Sequence, residues 1–244
     1  ASNSSDRRPA TDGSIPHDPS ITPNGALRPS YTPDMTIPEY RGAGPSQDRL
    51  RTVLAPLARC VWRIHLEGFE RLPASGPAIL CPNHISFMDS AFLMLTVPRR
   101  ISFVGKAEYM GSWKTKYFFP FMGMIPIDRS GGERSRAALD AAASVLRRGE
   151  LFGIYPEGTR SRDGLLYRGR TGAARLAVDV GCRIYPVGIV GTAEIQPPDA
   201  RVPKPFRSCS LRIGPPVDPA NYPSPDSDPG ALRSITDDVM RSIQ

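Results

Sequence analysis

Residues 81–89 hold a histidine and an aspartate at a spacing that suits acid–base chemistry. The segment has the sequence CPNHISFMD, and His84 follows an apolar run that ends at Cys81 and Pro82. A turn between His84 and Asp89 would bring the carboxylate back to the imidazole, where it would fix the tautomer and leave the second ring nitrogen to accept a proton. The spacing alone leaves another interpretation open, a solvated histidine beside an aspartate that caps a helix.

Few other residues offer an alternative catalytic group. The remaining histidines are His17, in a proline-rich segment, and His65, at the end of a predicted helix, so no serine-type or metal triad can be built without His84. The four cysteines are far apart and form no C-x-x-C pair: Cys60, Cys81, Cys182 and Cys209. This spacing argues against a zinc site and gives no indication of a disulfide framework, so no metal is expected and a reducing compartment is the default.

The chain around His84 alternates between strand and helix patterns. Strands are predicted at residues 78–81, 101–104, 125–127, 151–155, 184–190 and 211–213. Helices are predicted at residues 49–64, 89–97, 135–148, 171–180 and 235–243. This alternation predicts an α/β layered domain with a mostly parallel central sheet flanked by helices. Ligands bind beyond the carboxyl ends of strands in such sheets, and His84 follows one of these ends.

Length and composition predict one folded domain, residues 48–244, behind a disordered tail, residues 1–47. The tail has eight prolines and four glycines with few large apolar side chains, so it cannot bury enough surface to offset its ordering entropy. The formal net charge of +7 favours an anionic partner: a nucleic acid, an acidic membrane surface or a phosphorylated substrate. The chain has no aromatic-rich basic stripe and no nucleic-acid-binding motif, so nucleic acid is not the expected partner.

The first predicted helix, residues 49–64, combines an apolar stripe with four arginines. Two interpretations are open: the helix rests on anionic lipid, or it packs on the core with its arginines in water. The longest apolar run, residues 117–127, is shorter than the roughly 20 residues of a spanning helix and contains Pro120 and Pro126. We therefore expect a peripheral protein on the cytoplasmic face of the cell membrane.

Four sequence blocks in order resemble the glycerolipid acyltransferase family, in particular its bacterial 1-acylglycerol-3-phosphate (lysophosphatidate) acyltransferases. The blocks are NHISFMD at 83–89, GMIPIDR at 123–129, YPEGTRS at 155–161 and IYPVGIV at 184–190. FVGK at 103–106 and TGAARLA at 171–177 agree as well, and the resemblance covers about residues 65–215. It implies the α/β fold of the glycerol-3-phosphate acyltransferases.

The resemblance also implies an O-acyltransferase of phospholipid biosynthesis, with His84 and Asp89 as its catalytic residues. His84 would deprotonate the acceptor hydroxyl, which attacks the thioester carbonyl of acyl-CoA or of an acyl carrier. Asp89 would orient the imidazole and stabilise its charged form. No acyl-enzyme, metal or cofactor is expected, and acyl-CoA is a co-substrate.

By the same resemblance, the second and third blocks bind the acceptor. The expected substrate-binding residues lie at or just beyond the carboxyl ends of strands: Lys106, Arg129, Glu157, Gly158, Thr159 and Arg160. The acceptor phosphate is assigned to Lys106 and Arg160, with Arg129 in support, because the guanidinium fork donates two parallel hydrogen bonds to such a group. An ion pair involving Arg129 and Glu157 that only shapes the loop is an open alternative.

Several acceptors fit the same chemistry. A lysophosphatidate-type lipid is expected, with glycerol 3-phosphate, another lysophospholipid or a lipid-linked sugar as alternatives, and a non-catalytic lipid-binding module as an alternative from another class. The intact His84 and Asp89 argue against that module. Two departures from the family, Tyr155 in place of phenylalanine and Thr171 in place of lysine, are expected to be peripheral to catalysis.

Overall fold

The computed structural model describes residues 44–106, 123–127, 134–197, 200 and 202–244. For residues 105–106, 126–127 and 134–135 it describes the backbone alone. The predicted disordered tail lies almost entirely outside these ranges, as does most of the apolar run at 117–127, so both predictions stay untested. In the described ranges, no helix has both the length and the apolar character that a membrane span requires.

Six helices and seven strands make up the described part of the chain. The helices are α1 (Pro45–Val61), α2 (Met88–Thr96), α3 (Arg134–Arg147), α4 (Gly172–Val180), α5 (Thr192–Ile195) and α6 (Ala231–Ile243). The strands are β1 (Arg63–Glu67), β2 (Ala78–Pro82), β3 (Ile101–Lys106), β4 (Met124–Ile127), β5 (Leu151–Gly153), β6 (Arg183–Val190) and β7 (Ser208–Ile213). Most of them begin and end within a few residues of the predicted elements.

The strands form one mixed sheet in the order β1-β7-β6-β2-β5-β3-β4. Neighbouring strands are parallel, apart from the antiparallel pair β6 and β7. The prediction of an α/β domain with a mostly parallel sheet is therefore confirmed. Strands β2 to β6 all end at one edge of the sheet, which we call the carboxyl edge. Because β7 runs the other way and β1 is parallel to it, β7 and β1 begin at this same edge.

Apolar side chains cover both faces of the sheet. On β2, Ile79 and Cys81 point into a core formed with α3, α4 and α6, whereas Ala78 and Leu80 point into a second core formed with α2. All five residues of β2 are buried because helices lie on both sides of it. This burial explains why β2 has an uninterrupted apolar sequence and why its carboxyl end holds a fixed position.

The predicted helix at 49–64 extends past the end of the helix that the structure shows. Helix α1 ends at Val61, Trp62 adopts an extended conformation, and β1 follows as an edge strand. Sequence analysis missed β1 because Ile64 fits a helical step from Val61 as well as the two-residue alternation with Leu66. The last strand and the last helix were also predicted too short, since they begin at Ser208 and at Ala231.

One face of α1 packs on the core. Gln47 and Ala58 are buried, and Arg51 donates hydrogen bonds to the carbonyl after α2 and to Asp48 instead of facing water. The opposite side of the helix leaves Val53 and Leu57 largely exposed. The apolar stripe of the sequence is therefore wider than the face that the core covers.

Candidate active site

His84 and Asp89 meet just beyond the carboxyl end of β2. The Nδ1 atom of His84 lies 2.9 Å from Oδ2 of Asp89, and the imidazole is 18% exposed. Since an ionised carboxylate only accepts hydrogen bonds, Nδ1 carries the proton and Nε2 has a lone pair. Among the described residues none hydrogen-bonds Nε2, so the imidazole can take a proton from a bound molecule there.

The Asp89 carboxylate is fully buried, with 0% of its surface exposed, and its donors replace water. Besides the imidazole, Oδ2 accepts the backbone N–H groups of Ile85 and Ser86, each at 2.8 Å. The hydroxyl of Thr192, at the start of α5, donates to Oδ1 at 2.5 Å. A buried charge is tolerated where several donors surround it, and these four hold both the charge and the orientation of the carboxylate.

Tyr155 supports the other side of the imidazole. Its ring stacks on that of His84 with centroids 3.7 Å apart, and its hydroxyl lies 2.5 Å from Oγ of Ser90. Burial, and then the charge of Asp89, raises the pKa of the Tyr155 phenol well above its usual value, so the ring stays neutral. Tyr155 therefore contacts the imidazole directly, and the expectation that its difference from phenylalanine is peripheral to catalysis stays a prediction.

Glu157 holds the backbone of His84 in place. Its Oε1 accepts the N–H of His84 at 2.9 Å, and its Oε2 accepts the N–H of Tyr167 at 2.8 Å. The carbonyl of His84 accepts the N–H of Ser161 at 2.7 Å. Residues 155–161 thus hydrogen-bond both the N–H and the carbonyl of His84. The buried carboxylate of Glu157 thus contacts two backbone groups of the protein, and its predicted role in substrate binding stays a prediction.

Asn83 extends the pairing between β2 and β6 beyond Pro82. Its side-chain oxygen accepts the N–H of Ile189 at 2.7 Å, and its side-chain nitrogen donates to the carbonyl of the same residue at 2.8 Å. The side chain thus replaces a backbone step of the ladder. Because of this link, the turn that carries His84 starts from a fixed point.

The predicted phosphate-binding residues that the structure describes lie at the carboxyl edge of the sheet or in the loop after β5. Arg160 is half-buried in the loop after β5, and within the described residues its guanidinium has no hydrogen-bond or ion-pair partner. Gly158 has a φ of 74°, and an added Cβ would meet the side chain of Arg170. Thr159 is exposed beside it. Lys106 is the last residue of β3 at this edge, and its backbone alone is described. Arg129 lies outside the described residues.

The described cysteine nearest to His84 in the sequence is not a competing nucleophile. Cys81 is buried in β2, and burial raises the pKa of its thiol, which keeps it neutral and a poor nucleophile. Burial also raises the pKa values of Cys182 and Cys209 to about 12. The described residues hold no group of three or more His, Cys, Asp or Glu side chains that could bind a metal ion. The geometry thus suits base catalysis on a hydroxyl that attacks an already reactive carbonyl.

Sequence analysis missed two residues that touch this pair. Tyr155 gave a signal, since it follows the strand that lies beside β2, but strand order cannot be read from the sequence. Thr192 is 103 residues from Asp89 and gave no signal at all.

The Acyltransferase family model matches residues 63–190, more than half of the chain. The match runs from the first residue of β1 to the last residue of β6 and contains His84, Asp89 and the loop at 155–161. The chain belongs to the Acyltransferase family. The sequence resemblance described above is thereby confirmed.

Curated relatives of this Acyltransferase family member carry one enzyme name. The chloroplastic 1-acyl-sn-glycerol-3-phosphate acyltransferase of Arabidopsis thaliana is 31% identical over 137 residues, which are 56% of this chain and 38% of that protein. The 1-acyl-sn-glycerol-3-phosphate acyltransferase of Borreliella burgdorferi is 29% identical over 130 residues, 53% of this chain and 52% of that one. This chain therefore spans about half or less of the length of these relatives.

A solved structure shares the fold. The 1-acyl-sn-glycerophosphate (LPA) acyltransferase PlsC of Thermotoga maritima matches with a TM-score of 0.62 and 24% identity, and the match covers 81% of each chain. The likeness supports the layered α/β arrangement that is described above.

Replacing Glu157 with glutamine tests whether this residue positions His84 or contacts substrate. An amide can accept only one of the two backbone N–H groups and points its NH₂ group at the other, so the His84 backbone should shift. We expect acyl transfer to lose about tenfold or more in kcat with little change in either KM, since small misplacements of a catalytic group cost this much.

The matched control is Glu67→Gln, on the exposed edge strand β1, which should leave both constants as they are. A Glu157→Gln enzyme with a raised acceptor KM and an unchanged kcat would instead support direct substrate binding by Glu157.

Proposed function

We propose that the chain is an O-acyltransferase that moves a fatty acyl chain from acyl-CoA to the free hydroxyl of 1-acylglycerol-3-phosphate, giving phosphatidate. The single observation that carries the proposal is the hydrogen bond of 2.9 Å between His84 and the buried Asp89, which leaves Nε2 to act as a base. The relatives named above are called 1-acyl-sn-glycerol-3-phosphate acyltransferases, which supports the same acceptor.

In the first step, Nε2 of His84 takes the proton of the acceptor hydroxyl. The oxygen attacks the thioester carbonyl carbon, and a tetrahedral intermediate forms. The imidazole becomes positively charged at this point, and the Asp89 carboxylate beside Nδ1 stabilises that charge. The stacked Tyr155 ring and the Glu157 contact keep the imidazole and its backbone from turning away.

In the second step, the intermediate collapses and the bond between carbon and sulfur breaks. The thiolate of CoA leaves and takes the proton from Nε2, so that His84 returns to its neutral form. The reaction needs no acyl-enzyme because a thioester is already a good electrophile, and neither a cofactor nor a metal ion has a part in it. A carrier-protein thioester has the same reactive group and is the alternative donor.

The acceptor phosphate is proposed to bind at the loop after β5. Arg160 supports this because it is a half-buried residue whose guanidinium can donate two parallel hydrogen bonds. The left-handed glycine at Gly158 and the exposed Thr159 lie next to it in the loop. Lys106, which ends β3 at the same edge, and Arg129 are the further cations that we assign to this phosphate.

Other acceptors with a phosphate group remain alternatives to lysophosphatidate. Glycerol 3-phosphate, another lysophospholipid and a lipid-linked sugar would all present a hydroxyl to His84 and a phosphate to Arg160. A non-catalytic lipid-binding module is disfavoured because three donors besides the imidazole hold Asp89 against His84, an arrangement that lipid binding alone does not need.

The proposed acceptor is a lipid, which places the enzyme at a membrane surface. We propose peripheral attachment to the cytoplasmic face, with anionic lipids as the partner. The net charge of +7 supports this because each basic residue near an anionic leaflet adds about 1 kcal/mol of attraction. Nucleic acid would be attracted by the same net charge, but the chain has no motif that binds it.

His84→Ala should abolish transfer, since the proton acceptor is lost and the rest of the site is kept. Loss of a general base costs roughly 10²–10⁴ in rate. The measurement is CoA release from palmitoyl-CoA and lysophosphatidate, followed with a thiol reagent.

His65→Ala is the control for this change, because His65 is an exposed histidine on β1 and should have no effect. A His84→Ala protein that kept more than about a tenth of the parent rate would show that another group acts as base.

Arg160→Ala should raise the KM for lysophosphatidate about thirtyfold, which corresponds to roughly 2 kcal/mol for the loss of a charged hydrogen bond. The KM for acyl-CoA should stay within about twofold of its parent value because the donor is not held by this arginine.

Arg162→Ala removes an exposed arginine two residues further on and serves as the matched control. Equal increases of both KM values in the Arg160→Ala enzyme would indicate that Arg160 shapes the loop rather than binding the acceptor.

A further inference from the structure

Phe206 is an exposed aromatic residue in an unfavourable backbone conformation. Its φ is 56°, the one positive value among the described residues other than glycine, and 80% of its surface is exposed. A bulky side chain in the left-handed region costs free energy, and so does an aromatic ring in water. Strain of this kind persists at sites where it serves a function.

The loop that carries Phe206 is held firmly against the end of α1. The N–H of Phe206 donates to the carbonyl of Val61 at 2.9 Å, and the indole N–H of Trp62 donates to the carbonyl of Lys204 at 2.8 Å. A third bond of 3.0 Å joins the first residue of β1 to the carbonyl of Arg207. The ring is therefore presented outward from a fixed backbone.

Sheet topology places this loop on the same edge as His84. Strand β7 begins at Ser208 and is antiparallel to β6, so its start lies beside the end of β6 at Val190. Strand β6 in turn pairs in parallel with β2, the strand that leads to His84. The carboxyl edge thus runs from the catalytic histidine through Val190 to Phe206.

Exposed apolar and basic side chains share this part of the edge. We call them the Phe206 rim, and they are Phe206, Val202 and Val190 with Lys204, Arg207 and Arg63. The exposed acids Glu67 on β1 and Glu194 on α5 each lie four residues along the chain from a member of the rim, whose own described charges are positive. Aromatic rings flanked by basic residues are typical of protein surfaces at the boundary between water and lipid. There the rings lie at the level of the headgroups and the basic side chains contact anionic lipid.

We infer that the Phe206 rim docks the protein on an anionic bilayer, with the Phe206 ring and Val202 in the interfacial layer and Lys204, Arg207 and Arg63 on lipid phosphates. The inference rests on the proposed lipid acceptor and names the surface that meets the membrane. Because the rim and His84 share one edge, docking turns the catalytic site toward the leaflet from which the acceptor enters.

Vesicle binding of a Phe206→Asn variant tests the rim without any acyl transfer. Vesicles of phosphatidylcholine with about one third phosphatidylglycerol are sedimented with the protein. Asparagine adopts the left-handed conformation readily, so the melting temperature should hold or rise while vesicle affinity falls about tenfold. An affinity within about twofold of the parent, in a protein that is folded, would overturn the inference.

Two double variants with the same net charge separate the rim from a general effect of charge. Lys204→Gln with Arg207→Gln should weaken vesicle binding about fivefold for each lost charge and reduce its salt dependence. Arg183→Gln with Arg212→Gln removes two exposed arginines near the opposite edge of the sheet and should change neither. Equal weakening in both double variants would mean that net charge, and not the rim, attracts the protein to lipid.

The binding assay also distinguishes failure of this inference from failure of the proposed function. A protein that binds vesicles through the Phe206 rim but transfers no acyl chain would support the docking surface and contradict the proposed reaction. A protein that transfers acyl chains to lysophosphatidate, yet binds vesicles equally well with and without the Phe206 ring, would contradict the docking surface alone.

Discussion

The burial of one carboxylate, that of Asp89, is the constraint on which the rest of the site depends. A charged group without exposure is stable only where donors replace its water, and Asp89 has four: the His84 imidazole, two backbone N–H groups of the turn and the Thr192 hydroxyl. Each donor stabilises the charge of Asp89 and also holds the structural element that carries the donor. The turn after β2 donates its hydrogen bonds to Asp89, which lies in the first turn of α2, and Thr192 links the start of α5 to the same carboxylate.

The order of the strands makes this arrangement possible. Strand β2 lies between β5 and β6, so the segments that follow all three meet at one point of the carboxyl edge. The core below contributes to the same geometry. At Gly153, a Cβ would lie 2.0 Å from the ring of Phe103, so glycine lets that ring lie beneath Tyr155, which in turn stacks on His84. The orientation of the His84 imidazole thus depends on packing within the sheet.

Local patterns in the sequence predicted the fold class and the pair His84 and Asp89, because a buried apolar run and a short turn are encoded by neighbouring residues. Contacts that depend on strand order were not predictable in this way. Thr192 contacts Asp89 because β6, which it follows, lies next to β2, and Tyr155 contacts His84 because β5 lies on the other side of β2. The contacts of the Glu157 carboxylate with the N–H groups of His84 and Tyr167 were not predicted, since no pattern shows that a backbone N–H group lies in front of it. The edge strand β1 was missed because its half-exposed residues fit a helix equally well.

We infer from the contact at Nδ1 that the Asp89 carboxylate holds His84 in the tautomer that leaves Nε2 as a base. Nitrogen-15 NMR of the imidazole of the intact protein, labelled at histidine and assigned with the His84→Ala variant, tests this tautomer directly. We expect neutral His84 to carry its proton on Nδ1 and none on Nε2, and Asp89→Asn to remove this preference. A spectrum of the neutral imidazole with the proton on Nε2, or one that Asp89→Asn leaves unchanged, would show that Asp89 does not set the tautomer.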